Sequence, residues 1–129
     1  MAKPTLVVIE DESSLRELYR TKFELAGFDV ATAADGFAGL NACEQKRPDI
    51  ILLDIRMPVM SGDEMLEKLR QTEWGSDIRV VILTNISRDE APARLRYLSV
   101  DRYIVKAHHT PAQVLQVVSD ILGLRKQHG

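Results

Sequence analysis

Glu10, Asp11, Asp54, Thr84 and Lys106 each follow or close one of four separate apolar runs. LVVI leads into Glu10-Asp11, IILL into Asp54, VVIL into Thr84 and YIV into Lys106. The types are those of a phosphoryl-transfer site: carboxylates, a hydroxyl and an ammonium. Three carboxylates brought together repel one another and raise their own pKa values. A hard divalent cation removes that penalty. Mg²⁺ fits best, because it takes oxygen ligands, keeps waters and leaves room for phosphate oxygens. Asp54 ends the most apolar run, a natural place for a carboxylate nucleophile that forms an aspartyl-phosphate. Lys106 can meet a phosphoryl oxygen as a point charge, and Thr84 can donate a hydrogen bond to another. Phosphoryl transfer needs mainly positioning and charge neutralisation, and these groups supply both. Singly, each has an ordinary reading as a turn residue, a partner of a helix N-terminus or a solvated lysine. The joint pattern at four run ends carries the argument.

Such scattered residues converge only if the runs are neighbouring strands. Buried parallel strands read as continuous apolar runs, and in an open α/β sheet functional groups gather beyond the carboxyl ends of the strands. Five strands are expected, over residues 5–9, 28–33, 50–53, 79–83 and 102–105. Helical patterns alternate with them. The first runs from about Ser13 to Ala26 and stops at Gly27. The second is capped by Asp35 and reaches about Lys46, ahead of Pro48. The third spans about Asp63 to Gln71. The fourth is a short helix capped by Ser87 or Asp89 and reaching Leu98, with Pro92 in its first turn, where a missing N–H does little harm. The fifth opens at Thr110-Pro111. Alternating strands and helices imply βαβ units with right-handed crossovers. The second strand ends on Thr32-Ala33-Ala34 and carries no charge. An order of 2-1-3-4-5 places that strand at the edge and the other four around the switch point. The expected fold class is therefore α/β, a flavodoxin-like doubly wound sheet of five parallel strands with five helices.

Composition agrees with this reading. The 129 residues, 45% apolar and 28% charged, fit one domain over 1–129, with a core of about 3–122 and a polar tail from Leu124. A net charge of -2 gives no basic footprint for direct nucleic-acid binding. No run approaches the roughly 18 apolar residues that span a bilayer, and MAKPTLVVIEDE does not read as a signal peptide. Cys43 is alone, which excludes an internal disulfide and makes a reducing, cytoplasmic setting the expectation.

With these residues in place, the chain resembles the receiver domain of two-component response regulators. The resemblance covers about Lys3 to Leu122 and rests on VVIEDE, LLDIRMPVMSG, ILT and YIVK. It implies that Asp54 accepts a phosphoryl group from a sensor histidine kinase or phosphotransfer protein. It implies that Glu10, Asp11, Asp54 and the backbone carbonyl of Arg56 hold Mg²⁺, that Lys106 pairs with the phosphate, and that Thr84 is the switch hydroxyl. Tyr103 then matches the aromatic residue that changes rotamer on activation, and Met57-Pro58 with Gly62 match the loop after the acceptor. The partner surface would be the face of the fourth helix, fifth strand and fifth helix, including Arg96, Tyr97, Tyr103, Gln113 and Gln116. Three positions depart from the family pattern. Ala107 stands where a proline usually follows the lysine in a cis peptide. Asn85 follows the switch threonine, where a small residue is usual. His108 and His109 occupy a stretch that is usually apolar.

The resulting expectation is a phosphoacceptor switch rather than a turnover enzyme, acting on a downstream protein target or on an output domain outside this chain, with a phosphorylation-dependent homodimer as one form. The alternative is a receiver-like interaction module that binds partners without phosphorylation. A phosphohydrolase using Asp54 ranks below both, because Arg56, two residues on, cannot act as a general acid. A flavin-binding sheet is disfavoured, since Glu10-Asp11-Glu12 repels phosphate unless a metal intervenes.

Overall fold

The computed structural model describes residues 2–124. The tail expected to be polar lies, beyond residue 124, outside the described residues. Five strands form one parallel sheet of order β2-β1-β3-β4-β5: β1 (Thr5–Ile9), β2 (Asp29–Ala33), β3 (Ile50–Leu53), β4 (Arg79–Thr84) and β5 (Arg102–Val105). The expected edge position of β2 is found. Four α-helices accompany them: α1 (Ser13–Leu25), α2 (Gly36–Lys46), α3 (Gly62–Arg70) and α4 (Pro111–Ile121).

The sheet is apolar on both faces because each face is covered. Leu6, Val8, Leu52, Val81, Leu83 and Ile104 pack with Tyr19 and Phe23 of α1 and Val114 and Val118 of α4. Val7, Ile9, Ile51, Leu53, Val80 and Ile82 pack with Cys43 of α2 and Met65, Leu66 and Leu69 of α3. Each fully buried aliphatic side chain contributes about 1.5–3 kcal/mol, so the central strands are the best-anchored part of the molecule. The last helix starts as its sequence indicates. Thr110 accepts from the Gln113 N–H at 3.2 Å while the Gln113 side chain accepts from the Thr110 N–H at 2.8 Å, a capping box.

The expected fourth helix is not an α-helix. The segment forms two short 3₁₀ turns, Arg88–Glu90 and Ala93–Tyr97, separated by extended backbone at Ala91 (ψ 146°) and Pro92 (ψ 133°). A residue before proline is pushed from the helical region toward extended backbone by clash with the ring. Pro92 therefore divides the segment at Ala91 instead of opening a helix, and only four α-helices remain among the described residues. Arg70 anchors the far end of this segment. Its guanidinium donates to the Leu98 carbonyl at 2.8 Å, Ser99 at 2.9 Å, Gly75 at 2.9 Å and Ile78 at 2.7 Å.

Candidate functional site

The sheet register decides which strand ends meet. Ile9 pairs with Leu53, Leu53 with Ile82 and Ile82 with Tyr103. Glu10 and Asp54, each one residue further, therefore stand side by side on adjacent strands. The ladder continues through them, with the Asp54 N–H donating to the Ile9 carbonyl at 3.1 Å. Thr84 pairs with Val105, so Thr84 sits one level higher and Lys106 one level above that. A long side chain is needed to reach back, and lysine has one.

Lys106 Nζ donates to both Glu10 Oε1 and Asp54 Oδ2, the latter at 2.9 Å. Residues 96 and 52 positions away in the chain are thus joined by one ammonium. Asp54 Oδ1 accepts from the Ile55 N–H at 2.7 Å, and Glu10 Oε2 accepts from the Glu12 N–H at 3.0 Å. Glu10 and Asp54 are 4% and 6% exposed, whereas Asp11 is exposed. One carboxylate oxygen from each of the three lies within 4.8 Å of the others. This all-oxygen donor set, open at Asp11, fits a hard divalent cation that keeps part of its water shell.

Burial pushes the Glu10 carboxyl up, against the lowering pull of Lys106 and of the Glu12 N–H. Burial alone would lower Lys106, but its hydrogen bonds to Glu10 and Asp54 outweigh that and raise it. The shared ammonium is thus secure in its charge, and Glu10 is the acid pushed toward neutrality.

Glu10, Asp11, Asp54, Arg56, Thr84 and Lys106 all line one cleft of about 650 Å³, joined there by Asn85 and Glu90. Thr84, 1% exposed, accepts from the Ile86 N–H at 3.4 Å, which leaves its own proton free to donate. Tyr103 does not line the cleft. It borders a neighbouring groove of about 460 Å³ with Arg88, Leu95 and Arg96. Its hydroxyl donates to the Ile86 carbonyl at 2.7 Å, which links the groove to the loop after β4. Arg88 lies 5.7 Å over the Tyr103 ring and donates to the Tyr103 carbonyl at 3.3 Å. Tyr97 is 84% exposed. Gln113 serves the α4 cap, and Gln116 donates to Asp120 at 2.7 Å. Lys106–His108 forms a 3₁₀ turn, and no peptide bond among the described residues is cis, so Lys106-Ala107 is trans.

The loop after β3 closes under Asp54. The Gly62 N–H donates to the Ile55 carbonyl at 2.7 Å, and a Cβ at Gly62 would overlap the Asp54 carbonyl oxygen. Two contributors escape the sequence pattern. Arg16 donates to the carbonyls of Glu10 at 2.8 Å and Asp11 at 3.3 Å. Arg88 braces Tyr103. A cation in the first turn of a helix, where the dipole disfavours it, is the sequence signal that points to Arg16.

This fold and site define a class, and comparison with known proteins supplies its name. The family model described as response regulator receiver domain matches residues 6–119. The chain belongs to that family, the receiver domains of two-component response regulators. The transcriptional regulatory protein PrrA of Mycobacterium tuberculosis is 32% identical over the whole of this chain and 53% of its own length. The curated relatives run longer, and this chain spans about half of their length or less. The chemotaxis protein CheY4 of Vibrio cholerae matches with a TM-score of 0.85 and 26% identity, over 93% of this chain and 99% of that one. The receiver domain of the sensor histidine kinase PA1611 from Pseudomonas aeruginosa shares the fold, with a TM-score of 0.84 and 22% identity over 95% of this chain and 99% of that one. That structure holds a magnesium ion in its active site cleft. No helix among the described residues is long and apolar enough to cross a membrane.

Proposed function

We propose that the protein is the phosphoacceptor switch of a two-component phosphorelay, a single receiver domain that takes its phosphoryl group on Asp54. The donor is the phosphohistidine of a sensor histidine kinase or phosphotransfer protein. An Asp54 carboxylate oxygen attacks phosphorus, the O–P bond forms, the N–P bond breaks, and the leaving imidazole nitrogen takes a proton. Glu10, Asp11 and Asp54, with the backbone carbonyl of Arg56, would hold Mg²⁺, which supplies positive charge to the carboxylates and to the phosphoryl oxygens. Lys106 follows the phosphoryl oxygens as a point charge. Thr84 donates its hydroxyl to another of them, and the loop from Asn85 to Ser87 moves with it. The observation that carries this reading is the single ammonium of Lys106 on both Glu10 and Asp54 inside a cleft that also holds Asp11 and Thr84.

Tyr103 couples the cleft to the neighbouring groove, because its hydroxyl rests on the Ile86 carbonyl two residues after Thr84. A shift of that loop changes the face presented by Arg88, Arg96, Tyr97 and β5 to a downstream protein or an output domain. A few kcal/mol between two states suffices for phosphorylation to invert their populations. One observation favours a second reading, a module that binds partners without phosphorylation. The Tyr103 hydroxyl is tied to the Ile86 carbonyl, with Arg88 over its ring, and neither contact involves Asp54. Beryllofluoride with Mg²⁺ separates the two. The switch requires amide NMR shifts at Thr84, Ile86 and Tyr103 that are lost in Asp54→Asn. An unchanged native spectrum supports the second reading and overturns the first.

A further inference from the structure

Arg16 lies in the first turn of α1, where a positive charge opposes the helix dipole. The helix start is otherwise thinly equipped: Glu12 at the N-cap makes no side-chain capping bond, and the first turn holds no acidic residue. The arginine therefore does nothing for its own helix. Its guanidinium turns back instead, and one nitrogen, Nη1, donates to the Glu10 carbonyl at 2.8 Å and the Asp11 carbonyl at 3.3 Å. Those are the peptide groups from which both acidic side chains spring. Glu10 has other restraints, through its N–H to Ala33 and its side chain to Lys106. Asp11 is exposed, so what holds it near Asp54 is the turn that carries its backbone.

We propose that Arg16 is a positioning residue for the acidic pair, an inference that rests on the reading of Glu10, Asp11 and Asp54 as a Mg²⁺ site. It braces the turn out of β1 so that Asp11 stays within ligand range of Asp54. Two effects of the arginine oppose each other, and this gives the test a sign. As a nearby cation it repels Mg²⁺, so removing it would tighten binding. As a brace it preorganises the ligands, so removing it loosens binding. Loss of a group that orients metal ligands weakens affinity by about 10–100-fold. The contacts here run to backbone carbonyls from a half-buried side chain, which places the effect near tenfold.

Calorimetric titration of Mg²⁺ into the native chain, Arg16→Ala, Arg16→Gln and Arg16→Lys decides between these effects, with Tm of the metal-free proteins measured in parallel. The expected result is a Kd about tenfold higher for Arg16→Ala, a smaller rise for Arg16→Gln, and partial recovery in Arg16→Lys. Should Arg16→Ala not fold, Arg16→Gln carries the comparison. Equal or tighter Mg²⁺ binding in a folded Ala or Gln variant overturns the proposal. Absence of Mg²⁺ binding by the native chain overturns the metal site itself and the brace with it. That outcome is distinct, because every variant would then give the same blank titration.

Discussion

Gly62 offers a direct test of how tightly the phosphoacceptor is packed. It opens α3 and passes beneath Asp54. A Cβ built there would overlap the Asp54 carbonyl oxygen and lie 2.8 Å from its carbonyl carbon and 3.0 Å from the Ile55 Cα, where ordinary contact begins at 3.4 Å. All three neighbours are backbone atoms, so no side chain can swing aside. Close-packed interiors yield little, and restoring ordinary contact requires about 1.5 Å of movement in either α3 or the end of β3. Overpacking of this kind costs about 1–3 kcal/mol, and rigid neighbours place Gly62→Ala at the upper end, about 3 kcal/mol. Gly27→Ala is the control. Gly27 has φ +94° with nothing within 4 Å of its missing Cβ, so only backbone strain of about 1–2 kcal/mol applies. Urea unfolding read by far-UV circular dichroism gives both numbers. With m of about 1–3 kcal/mol/M, the midpoint for Gly62→Ala should fall by about 1–3 M. The variant should also incorporate phosphate more slowly from acetyl phosphate, because relief displaces Asp54. Stability within 0.5 kcal/mol of native, or above that of Gly27→Ala, would refute this packing argument.

Lys106→Met leaves Glu10 and Asp54 facing each other unpaired. Breaking a buried pair costs about 3–5 kcal/mol, so a loss near 3 kcal/mol is expected without Mg²⁺. That loss shrinks as Mg²⁺ is added, or as acid protonates Glu10, whose pKa is already raised. In the native chain Lys106 titrates above its ordinary 10.5. Its contribution is full below pH 10.5 and fades as pH climbs through the raised value, an alkaline loss that chemical denaturation should show and Lys106→Met should lack. Cys43 is fully buried, and burial pushes its thiol up to about 12. A thiol reagent at pH 8 should therefore label it only in denaturant, and labelling of the folded chain at the free-thiol rate would contradict the packing described. Pro92→Ala frees Ala91 for helical backbone, so residues 88–97 should gain helix and ellipticity at 222 nm should deepen. An unchanged spectrum would mean that something other than the proline divides the segment.

The central strands β1, β3 and β4 were legible because they are buried on both faces. Residues 5–9 and 50–53 carry little besides apolar side chains, and no competing local signal moves their ends. The place of β2 was legible from chemistry: Ala33-Ala34 has nothing to contribute to a site, and β2 is an edge strand. The segment after β4 misled because Ser87 and Asp89, with Pro92 soon after, resemble a helix start. One residue, Ala91 ahead of Pro92, is pushed toward extended backbone and does not continue it. Convergence of Glu10, Asp11, Asp54, Thr84 and Lys106 could be read from their strand ends. The register that sets their heights could not, because it depends on pairing between strands far apart in sequence. Arg70 and Arg88 bond to backbone carbonyls, which leave no trace in side-chain pattern, and Arg16 is marked only by its place in the first turn of α1. Tyr103 was reached through family resemblance alone, and its bond to Ile86 becomes visible only with the loop folded.

The central claim is that Asp54 accepts a phosphoryl group. Intact-mass spectrometry after treatment with acetyl phosphate and Mg²⁺, on the native chain and on Asp54→Ala, tests it most directly. The account predicts the mass of one added phosphoryl group on the native chain, none on the variant, and none on either without Mg²⁺. An unmodified native chain, or equal labelling of Asp54→Ala, would contradict it.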